Sequence, residues 1–425
     1  MTETKSTTPA TAPTPWVVRT RYVEGAPVVA VRIWLRGGAR LEEIPGQALI
    51  TGRMLSEGTR RRDWRAIATE AEGRGMILSS FGMFEHYGVS IDALAKDWRQ
   101  ALDWTAEMVL EPSFPEDRCD WLTRQAKAEL ESLADQPDVK TAWGFLEQLY
   151  TPHPRSRPTQ GTVEGLDRVT AALCAEYHRR VLRHGLLISV AGRIDEEEIH
   201  RHLDEIFAGL SLGAAPPPVP AAPVGFAERR HEVKTDAEDQ AHLYVGQLTV
   251  PRDHPDYAAL ELLAVVLGSG AGLTGRIPGR IREKEGLAYT AQAQTVSGSG
   301  LDPGRLIAYV GTAPATVDKA EQGVIEEITR LVEDGVTDEE LDEARAYLLG
   351  REPFLRETAR QWADLLVEAE LYDLPLTDPA WRDGELTHPD RQTVEEAARR
   401  HIDPAALKVT VGYPADNDEE DEKED

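Results

Sequence analysis

Two sets of residues in this 425-residue chain have the types and spacing that chemistry needs. Arg282 and Tyr289, seven positions apart, offer a guanidinium fork and a phenol hydroxyl, and both can donate hydrogen bonds to a peptide carbonyl. Positions 49 and 53 lie in the stretch Gly46 to Thr59, whose apolar residues recur at helical spacing, so the two side chains share a face and could aim at one ion. Ligation would require imidazole or carboxylate at both. Leu49 has no donor atom and Arg53 carries a fixed positive charge. Glu129, 76 residues beyond Arg53, adds one carboxylate, which cannot hold zinc alone and reads equally as a solvated helix residue.

Nothing else in the sequence supplies the missing ligands. His200 and His202 are two apart on a helical stretch and point in different directions, and the remaining histidines that are not in repeat-matching positions stand singly. The glycine-rich run Gly268, Gly270, Gly272 lacks the Gly-Lys-Ser/Thr of a phosphate-binding loop. A net charge of −27 argues against nucleic acid and anionic membrane surfaces as partners. Two cysteines, Cys119 and Cys174, cannot make a disulfide framework and fit a reducing compartment. No apolar run approaches the ~18 residues of a membrane span. Residues 1–15 read as a disordered tail with no secretory leader, residues 415–425 as an acidic tail, and a cytoplasmic location is expected.

The elements that must position these residues fall into two halves. Trp16 to Tyr22 and Val28 to Leu35 read as two paired strands, followed by the 46–59 helix, a helix from Trp64, and strands Met76 to Phe84 and His86 to Ile91. Two long helices follow, and a buried strand Leu186 to Ala191 closes the half. Residues 213–225, rich in Pro and Ala, form the linker between units spanning 16–212 and 226–414. The second half repeats the first. Glu111 to Pro115 matches Glu333 to Thr337, and His178 matches His401, at near-constant offsets of 222 and 223. The expected fold is α+β, with two homologous repeats, each an antiparallel sheet covered by helices.

The framing Gly46-x-Ala48 and Met54-Leu55-x-x-Gly58-Thr59 resembles the zinc-site helix of the insulinase and mitochondrial-processing-peptidase family. Active members read His-x-x-Glu-His there; two imidazoles hold zinc and the Glu activates the bound water. Those positions here are Leu49, Gly52 and Arg53, and Glu129 stands where the family places its third ligand. The segment Leu267 to Tyr289 is similar to the family's C-terminal motif, and the resemblance implies that Arg282 and Tyr289 bind the peptide held at a zinc in another unit. Ser79-Ser80 replace the family's usual Asn-Ala on the substrate-pairing edge strand.

The resemblance implies a non-catalytic subunit of a two-chain zinc peptidase. Zinc is expected in the partner, a His-x-x-Glu-His homologue, and no cofactor in this chain; an extended peptide is the shared substrate. The alternatives are a structural member similar to respiratory-complex core subunits and a homodimeric peptide-binding module.

Overall fold

The segment Leu186–Gly192 is buried at all seven positions. A strand with no solvent face needs neighbours on both edges and layers on both sides. The computed structural model, which describes residues 16–208, 210, 216–235, 239–270 and 275–414, provides both. In the first half, β1 (Trp16–Tyr22), β2 (Val28–Arg36), β3 (Ile77–Gly82), β4 (His86–Leu94) and β5 (Leu186–Gly192) form one sheet in the order β1-β5-β2-β4-β3. β1 and β2 do not pair, contrary to the expectation from their sequence. Both edges of β2 are occupied by antiparallel β4 and β5, and β1 runs parallel along the far edge of β5, Trp16 opposite Leu186. β5, fully apolar, takes the interior place, and β1, only partly buried, takes the edge.

The second half contains β6 (Arg230–Thr235), β7 (Ala241–Leu248), β8 (Ala288–Ser297), β9 (Arg305–Thr312) and β10 (Lys408–Pro414), in the order β6-β10-β7-β9-β8. Each strand holds the position of its counterpart five numbers earlier, and the single parallel pair, β6 with β10, recurs. The chain is thus a duplicated α+β unit, and each sheet is mixed. Residues 1–15 and 415–425, the first three residues of the expected linker (213–215) and Gly272 lie outside the described residues. Residues 216–229 form no helix or strand but are held in place. The amides of Val224 and Gly225 donate to the Thr151 carbonyl, and Lys408 Nζ donates to the carbonyls of Phe226, Ala227 and Glu228.

One face of each sheet is covered by helices of its own half. These include α1 (Gln47–Met54), α2 (Trp64–Gly73) and α3 (Trp98–Leu110), with α4 (Glu116–Ala134) packed outside α1. The other face is covered by a helix from the opposite half. α5 (Pro137–Tyr150) lies on β10, β6 and β7, and the helix Ala359–Tyr372 lies on β5, β2 and β1. The two are 14 residues long and begin 222 positions apart, so the repeat itself has exchanged a helix. Trp362, Ala363, Leu366, Val367 and Leu371 fill the contact with the first sheet, and Phe145, Leu149 and Tyr150 meet Tyr244 of the second.

A buried ionic bridge joins the halves. Arg40 forks onto Asp302, Nε to Oδ2 at 2.7 Å and Nη2 to Oδ1 at 2.9 Å, with His153 Nε2 at 3.4 Å from Oδ2. These neighbours hold the Asp302 carboxyl well below the usual carboxylate range despite its burial. Removing one partner strands a buried charge, so Asp302→Ala is expected to cost about 3–5 kcal/mol in a urea or guanidinium melt. A loss under about 1 kcal/mol would show the bridge to be idle.

Candidate functional site

α1 begins where Glu42 reaches its N-terminus and accepts hydrogen bonds from the amides of Gly46 (3.1 Å) and Ala48 (3.0 Å). Burial pushes this carboxyl up to about 7, against the lowering effect of those two amides and Arg157. A folded-state value above that of an unfolded Glu means that the folded chain holds the proton more tightly. The stabilisation is complete below about pH 4 and is lost as pH rises through 7. Glu42→Gln cannot titrate, so between pH 5 and 8 it should lose less stability than the parent chain, by on the order of 2 kcal/mol. Parallel melting curves for the two proteins would contradict this.

Along α1, Leu49 is 7% exposed and packs among Ile44, Cys119, Leu122 and Leu130, so it serves the core. Gly52 faces β3 at a distance only glycine allows. A Cβ there would lie 2.2 Å from the Phe81 carbonyl oxygen, and one on Gly82 would lie 2.5 Å from the Ala48 oxygen. The helix and the edge strand touch backbone to backbone, and the place of a general-base side chain is filled. Arg53 forks onto Glu129 of α4, Nη1 to Oε1 at 3.2 Å and Nη2 to Oε2 at 2.7 Å. Glu129 is therefore not a bare solvated residue; its carboxylate is occupied by a guanidinium. Ser80 Oγ donates to the Arg53 carbonyl at 3.0 Å and meets Ser56 Oγ at 2.7 Å, tying β3 to the end of α1.

Zinc does not fit here. Its first two ligand positions hold a hydrocarbon and a cation, and the third is already paired. Among the described residues one other trio, His254, Asp256 and His401, brings three donor atoms within 4.8 Å. Asp256 Oδ2 there already accepts from Arg400 and lies 2.6 Å from His401 Nε2, and the Asp256 amide donates to His254 Nδ1, so these groups satisfy one another.

The second set is intact. Arg282 lies in the irregular helical segment Gly279–Lys284, and its guanidinium carbon sits 4.8 Å from the centre of the Tyr289 ring. Tyr289 is 83% exposed. It falls in a β-bulge, since Ala288 pairs with Thr312 and Thr290 with Gly311, and the extra residue turns outward. The neighbouring Arg280 is held by Glu285, Glu326 and Glu327 and anchors the segment. Among the described residues the one ion pair of Arg282 is with Glu283, at 3.4 Å. The loop before it needs its glycines. Gly268 has φ +149, and a Cβ on Gly275 would lie 2.7 Å from the Gly268 Cα. Gly270 ends that turn. β3, beside Arg53, and β8, which carries Tyr289, are the corresponding edge strands of the two sheets.

Fold and site together define a two-repeat chain on the plan of the zinc peptidases, with its metal helix dismantled. Residues 17–162 match the family model described as insulinase (peptidase family M16), and residues 170–348 match the one described as the peptidase M16 inactive domain. The chain belongs to this family and is a non-catalytic member of it. An uncharacterized zinc protease of Mycobacterium leprae is 27% identical over 360 residues, 83% of this chain and 80% of the relative. A non-peptidase homolog of Helicobacter pylori is 24% identical over 336 residues, 78% of this chain and 76% of the relative. The crystal structure of a peptidase M16 inactive domain from Pseudomonas fluorescens shares the fold, with a TM-score of 0.85 at 23% identity, covering 94% of this chain and 96% of that one. Among the described residues no helix is long and apolar enough to cross a membrane.

Trp34, His86 and Glu368, which line a cleft over the first sheet, had no signal in the sequence. They come from three separated elements, and each is ordinary in its own surroundings.

Proposed function

We propose that this chain is the non-catalytic subunit of a two-chain zinc peptidase, in which Arg282 and Tyr289 hold the backbone of an extended peptide at the zinc of a His-x-x-Glu-His partner. The observation that carries it is the contrast within one chain: the metal helix is closed by Gly52 and by the Arg53–Glu129 pair, while Arg282 and Tyr289 stand stacked and exposed. The forked guanidinium and the phenol hydroxyl can each donate to a substrate carbonyl, and among the described residues neither side chain makes a hydrogen bond. The partner supplies zinc and the water-activating carboxylate; this chain supplies substrate positioning.

The test is reconstitution. Mixed with the homologue that keeps the three metal ligands, this chain is expected to form a complex on size exclusion and to raise peptide cleavage well above that of either chain alone. Pull-down of non-peptidase partners alone, with no gain in cleavage, would favour a structural role.

A further inference from the structure

A cleft of about 610 Å³ opens between the first sheet and the exchanged helix Ala359–Tyr372, and neither Arg53 nor Arg282 lines it. One wall is aromatic. Trp34 of β2 stacks on His86 of β4, centroids 4.1 Å apart and planes 10° apart, with Phe81 edge-on to both. Burial lowers His86 to about 4, so at neutral pH its ring adds no positive charge. The buried Trp34 Nε1–H and His86 Nδ1 have no hydrogen-bond partner among the described residues, so the protein's own atoms do not complete this wall.

Four carboxylates also line the cleft, Asp364 and Glu368 from the exchanged helix and Glu85 and Asp92 from the sheet side. Three of the four are occupied: Asp364 by Arg32 at 2.6 Å, Asp92 by Arg32 at 2.8 Å and Arg360 at 2.5 Å, and Glu85 by Arg155, the Leu301 amide and the Tyr372 hydroxyl. The fourth, Glu368, forms no ion pair or hydrogen bond among the described residues. Burial, and then the charge of Asp364, raises Glu368 to about 7 against the lowering effect of Arg252. A carboxyl so placed, lining the same cleft as a stacked aromatic pair, gives up its proton when a cation arrives.

We propose that this cleft binds the cationic end of an alkyl chain, an ammonium or a guanidinium, with Glu368 as counter-ion and the Trp34–His86 pair as the surface on which the chain packs. Such a group can come from a basic side chain of a peptide or from a free amine. The cleft reaches Ile77 and Ser79 of the edge strand β3, where alternate side chains of an added strand would turn toward it. The site belongs to this chain alone, so it is tested without a partner and stands or falls apart from the subunit reading.

Calorimetric titration of the full chain with agmatine, and with blocked pentapeptides carrying arginine or norleucine at the centre, decides it. Binding of agmatine identifies a site open to free amines; binding of the arginine peptide without agmatine identifies a peptide site. In either case Glu368→Gln, folded as the parent by circular dichroism, should weaken binding about tenfold or more, and norleucine should bind worse than arginine by a similar factor. Absence of binding by both cations overturns the proposal. So does Glu368→Gln affinity equal to that of the parent, or norleucine binding as tightly as arginine.

Discussion

Replacing Arg282 by alanine should lower kcat/KM of the reconstituted peptidase about 100-fold, or about 2.7 kcal/mol of transition-state stabilisation, and should leave the melting temperature of the chain unchanged. The size of the effect follows from the type of bond. A guanidinium donor to a carbonyl that gains negative charge during attack strengthens in the transition state, and losing one such donor typically costs two orders of magnitude. The absence of a stability effect follows from the fold, because among the described residues Arg282 meets only the exposed Glu283 and the ring of Tyr289. Tyr289→Phe keeps the ring and removes the hydroxyl, so a smaller loss of about tenfold is expected. Arg280→Ala should behave in the opposite way and destabilise the chain, since that guanidinium joins three carboxylates. If both Arg282→Ala and Tyr289→Phe cleave like the parent, the pair has no role in substrate binding.

The second large effect is at Gly52. Gly52→Ala is expected to destabilise the chain by on the order of 3 kcal/mol, and Gly52→Glu by more, because the added Cβ meets Phe81 backbone atoms at 2.2 and 2.5 Å rather than the end of a flexible side chain. Gly73 at the end of α2 is the control. A Cβ there meets nothing within 4 Å, so Gly73→Ala should be neutral or slightly stabilising. Restoring His-x-x-Glu-His at 49, 52 and 53 should accordingly disturb the chain rather than create a peptidase. Equal melting temperatures for Gly52→Ala and Gly73→Ala would show that α1 and β3 can separate freely.

How much of this could be read from the sequence depended on whether the signal was local. The α1 frame and the Arg282 to Tyr289 segment are contiguous, so their residue types and spacing were readable, and the repeat showed itself as constant offsets between distant matches. The pairing of β1 was not readable, because its partner β5 lies some 170 residues away and only burial along the whole of β5 dictates the arrangement. α5 was hidden for another reason. Several of its inward positions are Thr141, Gly144 and Gln148, which break the apolar rhythm. Gln148 is nonetheless buried because its amide donates to the carbonyls of Glu228 and Arg229 and its oxygen accepts from Thr410. The Ala359–Tyr372 helix has a clear apolar face, but nothing in its own residues says that the face covers the other half's sheet. The place of Arg53 and Glu129 followed from the family frame, whereas their mutual fork is a fact of three-dimensional geometry.

The central claim is that a metal-binding helix has become a purely structural one, and metal content tests it most directly. After purification with added zinc and dialysis against a weak chelator, elemental analysis of the isolated chain should find no retained zinc, and the chain alone should leave extended peptides uncut. One tightly held zinc per chain, lost on Glu129→Ala and accompanied by cleavage without a partner, would contradict the account.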